Sequence, residues 1–200
     1  MVKIITDSCS DLNAEQLERY GIDYAKMTTS RDGVEAEALL GGYGEVRDVY
    51  EAMRNGERVT TAQVSVPEFE RIFEKYLSLG MDVVYVGCSS KQSGSVNTAY
   101  TVAKRMEERY AGRKVICIDS LNASMGEGML AIEAARLAES GMDADGIAAR
   151  IFEMRYNVNQ FVTVHTLDYL RRAGRVKATS AFLGNLMGAP IDTRGLSLRS

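Results

Sequence analysis

The sequence has no tryptophan, one histidine (His165), two prolines and three cysteines in 200 residues, and no charge of one sign in excess. A lone histidine, with no carboxylate in an H-E-x-x-H or similar frame, gives no reason to expect a metal site. Cys9, Cys88 and Cys117 are odd in number, far apart and without a C-x-x-C pair. They argue against both a disulfide framework and a zinc site, and are expected to behave as small buried hydrophobes. With 24 Lys+Arg against 27 Asp+Glu, the net charge of −3 gives no general attraction to nucleic acid or an anionic membrane. No apolar run approaches the roughly 20 residues that span a bilayer, and MVKIITDSCSDL lacks the apolar region of a signal peptide. The expectation is a cytoplasmic chain with no stable membrane insertion. Neither G-x-x-x-x-G-K-[ST] nor a G-x-G-x-x-G after a strand is present, so nucleotide hydrolysis and dinucleotide chemistry lack their phosphate cradles and no cofactor is implied.

What is there is an ordinary globular composition, 46% hydrophobic, long enough for one core and the beginning of a second. Val2 to Ile5 reads as a strand ending in Thr6-Asp7-Ser8, followed by a helix-start signal at Asp11/Asn13 and a stop at Gly21. From Ile22 to Gly44 the pattern weakens, and glycines suggest an excursion between elements. Helical spacing returns at Val46, Val49, Tyr50 and Met53. Val59 to Ser65 reads as a polar loop. Ser65 and Glu68 stand at capping-box spacing before a helix carrying Phe69, Ile72, Phe73, Tyr76 and Leu77. Asp82 to Gly87 is the most strand-like segment, apolar at successive positions as in a sheet covered on both faces. A helix after Ser93 buries Val96, Ala99, Val102 or Ala103, Met106 and Tyr110. Lys114 to Ile118 is a further strand, followed by a helix with Met125, Met129, Ile132 and Leu137, in which Gly126 and Gly128 suit close packing. Asp143 can cap the next helix, with Ile147, Ile151 and Met154. Phe161 to Val164 reads as a strand, Leu167 to Arg172 as a short helix, and Ala181 to Met187 as an apolar segment.

Strands alternating with helices predict an α/β fold: a parallel-sheet, Rossmann-like first domain over 1–157 with helices on both faces. Residues 158–200 would be the start of a second α/β domain. Ligands of such sheets bind outside the carboxyl ends of the strands. That rule gathers Asp7-Ser8, Ser89 to Ser95 and Asp119-Ser120 onto one edge, which the loop with Thr61 reaches only by folding over it. Ser89, Ser90, Ser93 and Ser95 surround a helix start, where unpaired N–H groups and the helix dipole favour an anion, and Gly94 permits close approach. One serine serving as an N-cap, the others tolerating a turn, is the plainer alternative. Gly87-Cys88-Ser89-Ser90-Lys91 has the place of a nucleophile elbow but carries Lys91 where the second glycine belongs. A serine hydrolase using Ser89 or Ser93 with His165, oriented by Asp7 or Asp119, is the enzymatic alternative. Arg171, Arg172, Arg175 and Lys177 cluster at a glycine turn, either as a solvated helix end or as a docking patch for an acidic group.

Several stretches together resemble the DegV family of bacterial fatty-acid-binding proteins: KIITDSCSDL, TTAQVS at 60–65, CSSKQSGSVNTA at 88–99, VICIDS at 115–120, HTLDYLRRAGRV and AFLGNL. The resemblance covers residues 1 to about 191. It implies a non-enzymatic carrier that holds a long-chain fatty acid between two α/β domains. Thr61 and Ser93 would bind the carboxylate, Gly94 would offer its N–H, and Ser89 and Ser8 are the further candidate ligand-binding residues. It further implies presentation of the acid to a fatty acid kinase, with Arg172 and Arg175 toward that partner. Burying about 14 methylenes at roughly 0.8 kcal/mol each gives on the order of 11 kcal/mol before costs, so a few neutral hydroxyls suffice to orient the head. Ten methionines suit a deformable lining, though core filling accounts for most. Two departures stand out. Thr61-Ala62-Gln63-Val64-Ser65 replaces the usual T-S-Q-P-S, and the tail DTRGLSLRS resembles nothing in the family. The expectation is a truncated second domain, with exposed apolar surface covered by homo-oligomerisation.

Overall fold

The computed structural model describes residues 1–37, 44–161, 167–175, 191–192 and 197–198. The chain begins with β1 (Val2–Asp7), a 3-10 turn at Ser8–Ser10, α1 (Ala14–Arg19) and β2 (Asp23–Ala25). Asn13 and Gln16 close a full capping box on α1. β3 (Thr28–Arg31) and β4 (Val34–Glu37) form a hairpin, followed by α2 (Gly44–Arg54). β5 (Val59–Ala62) then pairs antiparallel with β3, Thr61 opposite Thr29. The stretch 59–65 is therefore not simply a polar loop, because its first half is a strand. Its side chains are mostly exposed, so the apolar alternation that marks a half-buried strand is missing.

The remaining elements are α3 (Val66–Leu77), β6 (Asp82–Gly87), α4 (Ser95–Arg109), β7 (Val115–Asp119), α5 (Met125–Glu139), α6 (Ala144–Met154), α7 (Asp168–Arg172) and the two-residue strands β8 (Ile191–Asp192) and β9 (Ser197–Leu198). On α3 the box is half formed. Ser65 accepts the Glu68 N–H, while the Glu68 carboxylate turns to the Lys26 N–H and to Arg71. Asp143 caps α6 as expected. Phe161 is exposed and outside any strand, and the strand expected to continue through Val164, His165 and the apolar segment 181–187 lie outside the described residues.

β2-β1-β6-β7 form one parallel sheet, in that order. Side chains alternate across it, as a pleated strand requires. Ile5, Val83, Tyr85 and Cys117 pack with Phe69, Phe73, Val96 and Val102 of α3 and α4. Ile4, Val84, Val86 and Ile118 pack with Leu130, Ala134, Ile147 and Ile151 of α5 and α6. α5 presents a different face from the one its large residues suggest. Met125 and Met129 are exposed, while Gly126, Glu127, Gly128, Ala131, Ala134 and Ala135 are inside. Close packing explains this, since a Cβ at Gly128 would stand 2.7 Å from the Ser10 carbonyl. Small residues let the helix approach the sheet where methionine would hold it off.

Candidate ligand-binding site

The chain leaves β1 for β2 on one side and later returns to place β6 on the other, so the strand order reverses between β1 and β6. The crevice outside the carboxyl ends at such a reversal is where open α/β sheets bind ligands. Here it is flanked by Asp7-Ser8 and by the segment from Gly87 to Ser95.

Asp7 organises the floor. Fully buried, its carboxylate accepts hydrogen bonds from the Tyr85 hydroxyl (2.6 Å), the Cys88 N–H (3.1 Å) and the Cys9 N–H (2.8 Å). Burial pushes its carboxyl above the ordinary value against the pull of these donors. Tyr85 reaches it by lying along its own strand, where a Cβ on Gly87 would overlap the ring. Glu127 from α5 is also fully buried and accepts from the Thr6 hydroxyl (2.9 Å). Burial, then the neighbouring Asp7, raise its carboxyl well above the usual range. The Cys88 thiol is held up by its hydrogen bond with Cys9 and by burial.

Above the floor, the loops are laced together. Ser89 N–H donates to the Asn122 carbonyl (2.8 Å), Ser120 N–H to that of Gly87 (3.1 Å), and Ser90 N–H to the Asp119 carboxylate (3.2 Å). Ser124 N–H reaches the Cys9 carbonyl (2.7 Å), joining the loop after β7 to the turn after β1. The edge expected from strand alternation thus forms, with Asp7-Ser8, Ser89–Ser95 and Asp119-Ser120 along it.

The serines divide into buried ones that brace the loops and the half-buried Ser90 and Ser93. Ser8 is spent on the exit of β2, donating to the Ala25 carbonyl (3.4 Å) and accepting from the Met27 N–H (2.9 Å). Ser89 is fully buried, and its hydroxyl accepts from the Lys91 N–H (3.3 Å). Ser93 is half-buried, its hydroxyl sharing a proton with that of Ser95 (2.9 Å) and accepting the Ser95 N–H (3.2 Å). Gly94 occupies the N-cap of α4 and supplies no side-chain cap, while the Ser95 N–H is taken by Ser93.

The segment after β5 meets this helix start. Val64 N–H donates to the Ser95 hydroxyl (3.1 Å) and the Gln63 amide to Thr98 (2.8 Å). The Gln63 side chain fills the space a Cβ at Gly94 would need. The segment after β5, Gln63-Val64, therefore lies against the edge, with exposed Thr61 two residues before it in β5. Arg175 donates from Nε to the Gln92 carbonyl (3.0 Å), bringing the end of α7 against the same loop, while Arg172 is exposed over the Tyr169 ring. His165 and Lys177 lie outside the described residues. The spacing of the sequence missed one grouping: donor atoms of Cys9, Cys88 and Glu127 come within 4.8 Å of one another. No sequence signal marked it, since the three lie on separate elements.

A parallel α/β sheet with a polar crevice at its strand-order reversal defines an open-sheet α/β protein. Comparison with known proteins then fixes the family. The profile described as "Uncharacterised protein, DegV family" matches residues 1–189, and the chain belongs to the DegV family. It is 30% identical over 194 residues to DegV domain-containing protein TTE1491 of Caldanaerobacter subterraneus subsp. tengcongensis, covering 96% of this chain and 67% of that one. Its fold is similar to a DegV family protein of Thermus thermophilus described by its fatty acid binding (TM-score 0.79, 27% identity, 94% of this chain and 65% of that one). It is also similar to TM841 of Thermotoga maritima, described as revealing fatty acid binding function (TM-score 0.75, 28% identity, 88% and 63%). The chain thus spans about two thirds of the length of these proteins. No helix among the described residues is long and apolar enough to cross a membrane.

Proposed function

We propose that this chain binds a long-chain fatty acid as a carrier, without catalysing a reaction on it, with the carboxylate at the β1/β6 crevice held by Ser93 and Thr61 and by the Gly94 N–H. The observation that carries this reading is the Val64–Ser95–Ser93 hydrogen-bond chain, which ties the segment following β5, and Thr61 near the end of that strand, to the start of α4. Uncapped N–H groups and the helix dipole favour a carboxylate there. Two neighbours of similar fold, described by their fatty acid binding, support the ligand class. Ser89 and Ser8 shape the crevice through their hydrogen bonds instead of touching the head group. Neither Ser89 nor Ser93 has a basic side chain as hydrogen-bond partner among the described residues, which disfavours a nucleophilic role.

Residues 1–157 form the head-group-binding domain in this reading, and those from 158 begin the part that covers the acyl chain. Exposed Arg172, with Arg175 beside the site loop, would face a fatty acid kinase to which the acid is presented. Native mass spectrometry of gently prepared protein tests the ligand. A co-purified fatty acid, retained less by the Thr61→Ala/Ser93→Ala variant, is the expected result. Protein that carries no lipid and takes up none on addition would overturn the reading.

A further inference from the structure

Beneath the serine loop, three chemically matched groups converge from separate elements. Cys9 lies in the turn after β1, Cys88 follows β6 directly, and Glu127 sits in the first turn of α5. Their donor atoms lie within 4.8 Å of one another. Glu127 Oε1 is fixed by the Thr6 hydroxyl, whereas Oε2 is buried and has no hydrogen-bond partner. This buried carboxylate oxygen beside two sulfurs is a free donor atom aimed into the cluster, where most buried polar atoms have partners.

We propose that Cys9, Cys88 and Glu127 form a site for one borderline-soft divalent cation of the Zn2+ type. Two thiolates and a carboxylate are a donor set that zinc accepts. At Zn–S distances of about 2.3 Å a tetrahedral ion sets its sulfurs roughly 3.8 Å apart, within reach of small rotations from the observed cluster. A harder cation such as Mg2+ selects against sulfur, and Cu+ against the carboxylate oxygen.

The surroundings are built to hold these donors in place. Asp7 is no ligand, since its oxygens already accept from Tyr85 and from the N–H groups of Cys9 and Cys88, and those bonds fix the backbone of both cysteines. Thr6 orients the carboxylate, and the amino end of α5 opposes the negative charge of the donor set. Cys9 is only half-buried, which gives an entry path and leaves a fourth position for water. Binding displaces the thiol protons to solvent as the metal–sulfur bonds form. This site is independent of the lipid reading and its test uses no fatty acid.

The full chain, stripped with a chelator and kept reduced with a phosphine, is titrated with Zn2+ against a chromophoric indicator and with Co2+ for thiolate charge-transfer absorption. One equivalent bound with thiolate bands is expected. Cys9→Ser, Cys88→Ser and Glu127→Gln should each weaken binding at least tenfold, and Cys117→Ser, on the far face of the sheet, should not. Circular dichroism identifies variants that fail to fold, and half-buried Cys9→Ser keeps the test decisive if the buried variants do. Absence of stoichiometric binding, equal loss in Cys117→Ser, or an intact mass showing a Cys9–Cys88 disulfide that forms in preference to metal binding would overturn the proposal.

Discussion

The two ends of the parallel sheet treat acidic side chains in opposite ways. At the amino end, Asp82 faces Arg113 (3.5 Å) and accepts the Lys114 N–H (3.0 Å), and Lys114 pairs with Asp145, all partly exposed. At the carboxyl end, Asp7 and Glu127 are buried with no ionic partner among the described residues. Solvent-screened pairs close one end, and directional hydrogen bonds in a dry environment hold the other. Backbone strain follows the same division. Of the described non-glycine residues at positive φ, Asp11, Leu121 and Ser124 lie in the loops of the carboxyl end, and Asp32 lies in the β3–β4 turn. Buried acid without an ionic partner thus sets the carboxyl end apart from the amino end.

This contrast breaks most directly at Asp7. Asp7→Ala leaves three donors, two of them buried, without an acceptor and should cost about 3–5 kcal/mol in urea denaturation. A loss under about 1 kcal/mol would erase the distinction between the ends. Gly87→Ala attacks the same network from a neighbouring position, because the added methyl displaces the Tyr85 ring from Asp7, and about 1–3 kcal/mol is expected from thermal unfolding. Asp23 provides the cation-paired counterpart. Burial pushes its carboxyl up, but Lys75, the Tyr76 hydroxyl and the Tyr24 N–H outweigh that and hold it below the usual value. Its stabilising contribution is therefore present above the unfolded pKa and lost as pH falls through the folded one. Asp23→Asn should cost roughly 0.5–1 kcal/mol at neutral pH and nothing in acid, checked by denaturation across pH. Asp82→Asn is the smallest, about 0.5 kcal/mol or less, with a further reduction in high salt.

The sheet and its edge were legible because their signals are local. Continuous apolar runs through Val83–Val86 and Val115–Ile118 located β6 and β7, caps at Asn13, Ser65 and Asp143 located helix starts, and the rule for parallel sheets put Ser93 at the carboxyl edge. What escaped depends on contacts distant in sequence. β5 is specified by pairing with β3 and has little apolar patterning of its own. The inner face of α5 follows the proximity of Ser10 and Leu12 to Gly128, which overrides the preference of Met125 and Met129 for the interior. The roles of Ser8 and Ser89 depend on partners at Ala25, Met27 and Lys91. Residue type marked them as polar without naming these partners.

The central claim, that the carboxyl end of the sheet binds a fatty acid head group through Ser93 and Thr61, is tested most directly by equilibrium titration with a fluorescent long-chain fatty acid. The account predicts saturable binding that Thr61→Ala/Ser93→Ala weakens at least tenfold and that Asp82→Asn, at the other end, leaves unchanged. Equal affinity in all three proteins, or no saturable binding by the parent chain, would contradict it.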